Sequence, residues 1–215
     1  MLNVACVLRS GGEYRPEHVL ALAAGVHRHL SLPHRLVCLT DLVRDVGALR
    51  GVQAVPLLRD WKGWWSKIEL FRPGLFGGPV FYADLDTIVV GPLDDLVLGH
   101  RLTVLRNFWS DDRIGSGLMA WDAGVVDVER IHARFCQAPD AIMRQYVTTE
   151  RWGDQAFIKR YAPEPPALWQ VKHPGRVFSY KKHVLPGGGV PAGASVICYH
   201  GKPRPWQTPL WQEAA

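Results

Sequence analysis

No stretch of the chain holds the roughly 18 consecutive apolar residues that a membrane-spanning helix requires, and no basic-then-apolar leader precedes the first strand-like run. The expectation from both is a cytoplasmic protein. Cysteine is scarce. The four present (Cys6, Cys38, Cys136 and Cys198) are far apart and show no C-x-x-C spacing. Three lie in apolar, strand-like runs, which argues against a disulfide scaffold or a zinc site and for buried free thiols in a reducing compartment. There is no internal repeat and no low-complexity segment. Acid is short in the last third: residues 151–215 carry 9 Lys/Arg against 3 Asp/Glu, a net of +6, whereas residues 1–150 carry 16 against 17, a net of −1. The whole positive excess therefore sits near the C-terminus, as either a solvated face or an anion-binding one.

What remains is an ordinary globular composition, 47% apolar and 21% charged over 215 residues, enough for one domain with a sizeable core. Nine tryptophans are many for this length and point to aromatic-lined clefts as well as core. Asn3 to Leu8 reads as a strand, and Arg9-Ser10-Gly11-Gly12 as a turn. Pro16 then suits the first turn of a helix through Leu30, with Val19, Leu22, Ala23, Val26 and Leu30 on one face. Strands over Arg35–Thr40 and Val52–Leu57, a short helix over Trp64–Phe71 and a strand over Val80–Ala83 follow. This order predicts an α/β domain with a mostly parallel sheet, in which ligands bind beyond the carboxyl ends of the strands. Beyond Leu96 the pattern predicts strands at Leu102–Leu105, Leu118–Trp121 and Ser195–Tyr199, and helices at Val126–Cys136 and Trp152–Tyr161. From Ala162 onward, frequent Pro and Gly predict a loop-rich tail that wraps back onto the sheet.

Two segments carry candidate chemistry. In VFYADLDTIVVGPLDDL, Asp84 and Asp86 interrupt an otherwise buried strand. Alternate side chains share a face, so both carboxylates meet near one point, and burying such a pair uncompensated costs several kcal/mol. A hard divalent cation, Mg²⁺ or Mn²⁺, would offset both acids; a helix cap or an exposed turn would also accommodate them. The second segment, YHGKPRPW, sets His200 directly after a strand, where a neutral imidazole can bind metal and favours Mn²⁺. Lys202, two residues on across Gly201, can reach a phosphate.

Together the two segments resemble the nucleotide-sugar glycosyltransferases of the GT-A fold, most of all family eight, which contains glycogenin and the bacterial lipopolysaccharide galactosyltransferases. There a strand delivers a D-x-D followed by a hydrophobic run and an LDEL-like helix, as in YADLDTIVVGPLDDL, and a later His-x-x-Gly-x-x-Lys-Pro-Trp is matched in shortened form by HGKPRPW. The chain is also similar to small glycosyltransferase-like proteins of bacteria and phages. The resemblance covers nearly the whole chain. It implies a single Rossmann-like GT-A domain, with residues 1–96 forming a nucleotide-binding half that ends in the D-x-D motif and residues 97–215 a sugar and acceptor half.

The resemblance further implies a UDP-sugar donor, a Mn²⁺ (or Mg²⁺) cofactor and retention of anomeric configuration. Asp84 would meet the ribose and the metal, Asp86 and His200 would be metal ligands, and Lys202, with Gly201, would hold the diphosphate. Leu8, Ser10 and Tyr14 match a uracil-binding turn, with Tyr14 stacking on the base. Lys67 in WWSKIELF matches a donor-contacting lysine, and Gly153-Asp154-Gln155 a G-D-Q segment whose Asp and Gln touch the transferred sugar. Ser116 belongs to a turn where the family has Asn-Ser-Gly, and Gly115 replaces its asparagine.

Two other classes stay open on the residues alone. One is a non-catalytic nucleotide-sugar-binding protein. The other is a nucleotidyltransferase, which shares metal-binding carboxylates but would want a basic Gly-rich loop after the first strand. The sequence does not name the acceptor. Lys172, Arg176, Lys181, Lys182 and His183, interleaved with Trp169, Phe178 and Tyr180, raise the expectation of a polyanionic acceptor such as a modified base in phage-type DNA.

Overall fold

The computed structural model describes residues 1–148 and 152–214. Strand β1 (Leu2–Leu8) leads into helix α1 (Pro16–His29), β2 (His34–Thr40), α2 (Val43–Gly47) and β3 (Val52–Pro56). A 3₁₀ helix (Gly63–Phe71) precedes β4 (Pro79–Ala83) and β5 (Thr87–Val89). Then come β6 (Leu102–Arg106), β7 (Ile114–Asp122), α3 (Glu129–Cys136), α4 (Pro139–Gln145), α5 (Gly153–Tyr161) and β8 (Ala167–Leu168). The tail contributes α6 (Trp169–Lys172), β9 (Val177–Ser179), a π-helical turn (Tyr180–Val184), α7 (Leu185–Gly187), β10 (Val196–Cys198), a 3₁₀ turn (Pro205–Gln207) and α8 (Pro209–Ala214).

Seven strands form the main sheet in the order β3-β2-β1-β4-β7-β6-β8. The pairs β3/β2, β2/β1, β1/β4 and β6/β8 are parallel, while β7 runs antiparallel to both β4 and β6. The predicted α/β domain with a mostly parallel sheet is what the chain forms. Side-chain alternation gives the sheet two apolar faces. Val4, Cys6, Leu8, Phe81 and Ala83 pack with Val19, Leu22 and Val26 of α1. Ala5, Val80 and Tyr82 face the other way, against Trp65, Ile68, Phe71, Phe135 and Phe157. Cys6, Cys38 and Cys198 are buried free thiols. Among the described residues no helix is long and apolar enough to cross a membrane.

A second, three-stranded sheet runs in the order β5-β10-β9. Cys198 pairs with Thr87 in the antiparallel β5/β10 ladder. This register carries the chain after β10, with His200 and Arg204, back to the loop after β4. Two departures from the sequence reading concern this region. Strand β7 begins at Ile114 rather than Leu118: Gly115 reads as a turn residue yet pairs with Leu105, and Gly117 O accepts from Asp84 N. Trp64–Phe71 forms a helix of the tighter 3₁₀ type.

Candidate active site

Asp84 lies immediately past the carboxyl end of β4. Its N–H donates to Gly117 O (2.8 Å), and its carbonyl accepts from Thr87 N (3.1 Å), which turns the chain. Tyr199 N donates to Asp86 O (3.1 Å), which fixes the turn to the tail. Gly117 is needed for this approach, since a Cβ there would stand 3.1 Å from Asp84 Oδ2. Both acids open into a cavity of about 760 Å³ lined also by Ser10, Tyr14, Lys67, Ser116, Asp154, Gln155, His200 and Arg204.

Each acid of the D-x-D motif has a cation. Lys67 Nζ donates to Asp84 Oδ2 (2.9 Å) and Ser116 Oγ (3.2 Å), and lies 3.6 Å from Asp154 Oδ2. Tyr82 OH donates to the other Asp84 oxygen. Burial opposes the Lys67 charge, but Asp154 and Asp84 outweigh it and raise its pKa. The 3₁₀ helix that presents Lys67 is anchored by the buried Glu69, whose carboxylate accepts from Leu58 N and Arg59 N (2.8 Å each) and from Arg72 (2.9 Å). Asp154, in the first turn of α5, accepts from Ser116 Oγ at 2.6 Å. Burial raises its pKa, and Lys67 and the Ser116 hydroxyl oppose the rise.

Asp86 Oδ2 accepts from Tyr14 OH and from Arg204 Nη1, both at 2.9 Å. Arg204 also donates to Tyr14 OH (2.9 Å), faces Glu13 at 3.4 Å and lies 5.2 Å from the Tyr14 ring centroid. Burial first, and the charge of Asp84 second, push Asp86 up to about 6 against Tyr14 and Arg204. Burial holds His200 down at about 4, so its imidazole is neutral at neutral pH. Its Nε2 is buried without a hydrogen-bond partner, between the rings of Phe108 and Trp109 (5.0 Å each).

The sequence-predicted residues divide accordingly. Ser10, Tyr14, Lys67, Asp84, Asp86, Ser116, Asp154, Gln155 and His200 share the cavity wall. Leu8 does not: it is fully buried in the core, and its neighbours Val7 and Arg9 line the cavity instead. Gly201 and Lys202 are exposed and lie off the wall, the Lys202 charge falling on Glu13. The guanidinium of Arg204 takes the inward place. Sequence reasoning passed over it, although Arg204-Pro205-Trp206 repeats the basic-Pro-Trp end of the family motif. Tyr14 meets Arg204 and Asp86 where base stacking was expected of it. Ser10 N and its hydroxyl both donate to Asp41, which no motif marks. Gly115 has a packing cause: a Cβ would stand 3.3 Å from Leu105 Cβ, at the β6/β7 register shift between Val104 and Leu105.

Part of the basic, aromatic tail segment is taken up by packing. Trp169 is fully buried and its Nε1 donates to Leu118 O (3.0 Å). Tyr180 is buried against Tyr199, with ring centroids 4.4 Å apart. Arg176 is committed to Asp95, Pro92 O and Ser195, and Lys172 to Gly99 O. These four side chains staple the tail to the sheet, whereas Lys182 is exposed, with its Nζ 5.6 Å from the ring centroid of the exposed Trp109.

A metal was expected on Asp84, Asp86 and His200. Among the described residues no three His, Cys, Asp or Glu side chains stand close enough together to hold one. The donor set nevertheless suits a divalent ion: two carboxylates, one of them pushed up to about 6 by burial and then by the charge of the other, and a neutral imidazole whose Nε2 has no hydrogen-bond partner among the described residues. Tyr14 and Arg204 both engage Asp86 through Oδ2.

No protein-family model matches the chain, and no curated protein does. Solved structures do. The glycosyltransferase GlyE of Streptococcus pneumoniae TIGR4 superposes with a TM-score of 0.67 at 16% identity, over 100% of this chain and 60% of that one. This chain thus spans about three-fifths of the GlyE chain. An active-site variant of LgtC matches with a TM-score of 0.67 at 10% identity, over 99% of this chain and 94% of that one. The galactosyltransferase LgtC in complex with donor and acceptor sugar analogues matches at 0.64 and 12%, with the same coverage. The single α/β domain described above therefore has the GT-A glycosyltransferase fold.

Proposed function

We propose that the protein is a metal-dependent glycosyltransferase that moves a sugar from a UDP-sugar to an acceptor, with retention as the family resemblance implies. One observation carries the reading: acids, a largely buried lysine and an arginine converge at the carboxyl end of β4, where an α/β sheet places its ligands. Residues 1–96 would hold the nucleotide, through the Ser10 turn and Tyr14, and residues 97–215 the sugar and acceptor. Asp84, Asp86 and His200 would hold Mn²⁺ or Mg²⁺, which when bound stabilises negative charge on the diphosphate.

The chain's own groups supply the rest. Arg204, beside Asp86 on the cavity wall, would offer its charge to the leaving group, and Lys67 fixes Asp84 and Asp154 in place. The bond from the anomeric carbon to the diphosphate breaks, and its electron pair leaves with UDP. An acceptor hydroxyl oxygen forms the new bond to that carbon, and its proton passes to the departing diphosphate. Asp154 faces the positive charge that develops on the sugar, and Gln155 orients its hydroxyls. Release of UDP from UDP-glucose, UDP-galactose and UDP-N-acetylglucosamine, with Mn²⁺ and with EDTA, tests this. Turnover of one donor with Mn²⁺ and none in EDTA is expected. No release from any of them, or equal release in EDTA, refutes it.

A further inference from the structure

Two tryptophans at the cavity wall are left unexplained by this chemistry. Trp64 is 45% exposed and Trp152 is 49% exposed, and both line the cavity. Their ring centroids are 5.9 Å apart and their planes tilt by 42°. Neither position is loose. Trp64 stands three residues before Lys67, one turn of a 3₁₀ helix, so the two share a face. Its neighbour Trp65 is buried against Phe135, which pins the helix from behind. Trp152 forms a bridge with Val147, and Gly153 N donates to Tyr146 O at 2.9 Å. Gly153 has φ +62°, and a Cβ there would stand 3.0 Å from Trp64 Nε1. The glycine thus lets the Trp64 indole lie directly on the turn that carries Asp154.

Contacts order the cavity. Tyr14, Asp86 and Arg204 form one end, and Lys67 bridges Asp84 to Asp154 in the middle. The Asp154 turn touches the two indoles at the other end. With the nucleotide at the first end and the transferred sugar at Asp154, the indoles lie where an acceptor must present its hydroxyl. An uncharged aromatic platform beside a carboxylate and an amide matches a sugar ring: its C–H face packs on the indole while its hydroxyls bond to polar groups. We infer that Trp64 and Trp152 form the acceptor platform and that the acceptor is a saccharide whose pyranose ring stacks on them. This rests on the glycosyltransferase reading above.

The probe is a set of four saccharides, methyl β-galactoside, methyl α-glucoside, lactose and maltose, added to the full chain with Mn²⁺ and whichever UDP-sugar it hydrolyses. At least one should accelerate UDP release and become glycosylated. Trp64→Ala and Trp152→Ala should each raise the KM for that saccharide about three- to tenfold. The KM for the UDP-sugar should move less than twofold, and Trp152→Tyr should recover most of the loss. Donor hydrolysis that no saccharide accelerates, or variants with an unchanged saccharide KM, would overturn the platform while leaving the transferase reading intact. Oligothymidine that abolishes the saccharide effect would also overturn it, in favour of base stacking. Absence of donor hydrolysis would remove the premise instead.

Discussion

Lys67→Met tests the electrostatic frame of the site without reference to any ligand. The substitution keeps the length of the side chain and deletes one buried charge. Two carboxylates then lose their partner: Asp84 at 2.9 Å and Asp154 at 3.6 Å, the latter almost wholly buried. Removing one member of a buried ion pair costs about 3–5 kcal/mol, because the remaining charge is left uncompensated. For a domain of this size each kcal/mol lowers Tm by about 2–4 °C. Thermal unfolding at pH 7.5 should therefore show a fall of about 10 °C or somewhat more. The part of the penalty that falls on Asp154 should shrink as pH falls, because burial already raises the pKa of that carboxyl. Adding Asp154→Asn should recover part of the loss, giving a coupling above about 1 kcal/mol in the double-mutant cycle. A fall worth less than about 1 kcal/mol, the value of an exposed ion pair, would refute the buried-lysine frame.

Arg204→Ala should lower turnover of donor about 10²-fold, the scale for loss of one charge-stabilising group, whereas Lys202→Ala should change it little; equal losses would show that both reach the diphosphate. His100 is buried, bonded to Thr103 Oγ1 (2.8 Å) and Leu96 O (2.7 Å), and burial holds it at about 4. Above about 6.5 neither folded nor unfolded chain protonates it, and below that only the unfolded chain does until about 4. Stability should therefore fall with pH through that window, by up to about 3 kcal/mol from this group, with Asp86 (about 6) offsetting part below pH 6. Tm measured from pH 7.5 to 4.5 should drop more steeply for wild type than for His100→Gln. Gly153→Ala meets both a positive φ and Trp64 Nε1, so it should lose about 1–2 kcal/mol, read by denaturant unfolding.

Much of the fold was legible because short continuous apolar runs such as Asn3–Leu8 and Val80–Ala83, set off by Gly11-Gly12 and Gly77-Gly78-Pro79, suit strands buried on both faces. The place of Asp84 and Asp86 followed, since a sheet edge is where acids can end such a run. The start of β7 was hidden because Gly115 and Gly117 are there for close approach to Leu105 and Asp84, a contact between strands distant in sequence. Arg204 was hidden for a related reason. The β5/β10 register, and not local spacing, decides which basic residue of HGKPRPW turns inward. The tail was legible only in part. Basic residues interleaved with Trp169 and Tyr180 look like an exposed patch until the sheet to which they are stapled is known.

The most direct test follows the anomeric carbon of the donor. A UDP-sugar labelled with ¹³C at C1 is incubated with the protein and Mn²⁺, and ¹³C and ³¹P spectra are recorded together. The account predicts intact UDP and a labelled carbon bonded to a new oxygen, with both signals lost in Asp86→Asn. UMP with sugar 1-phosphate, or an unchanged donor, would contradict it.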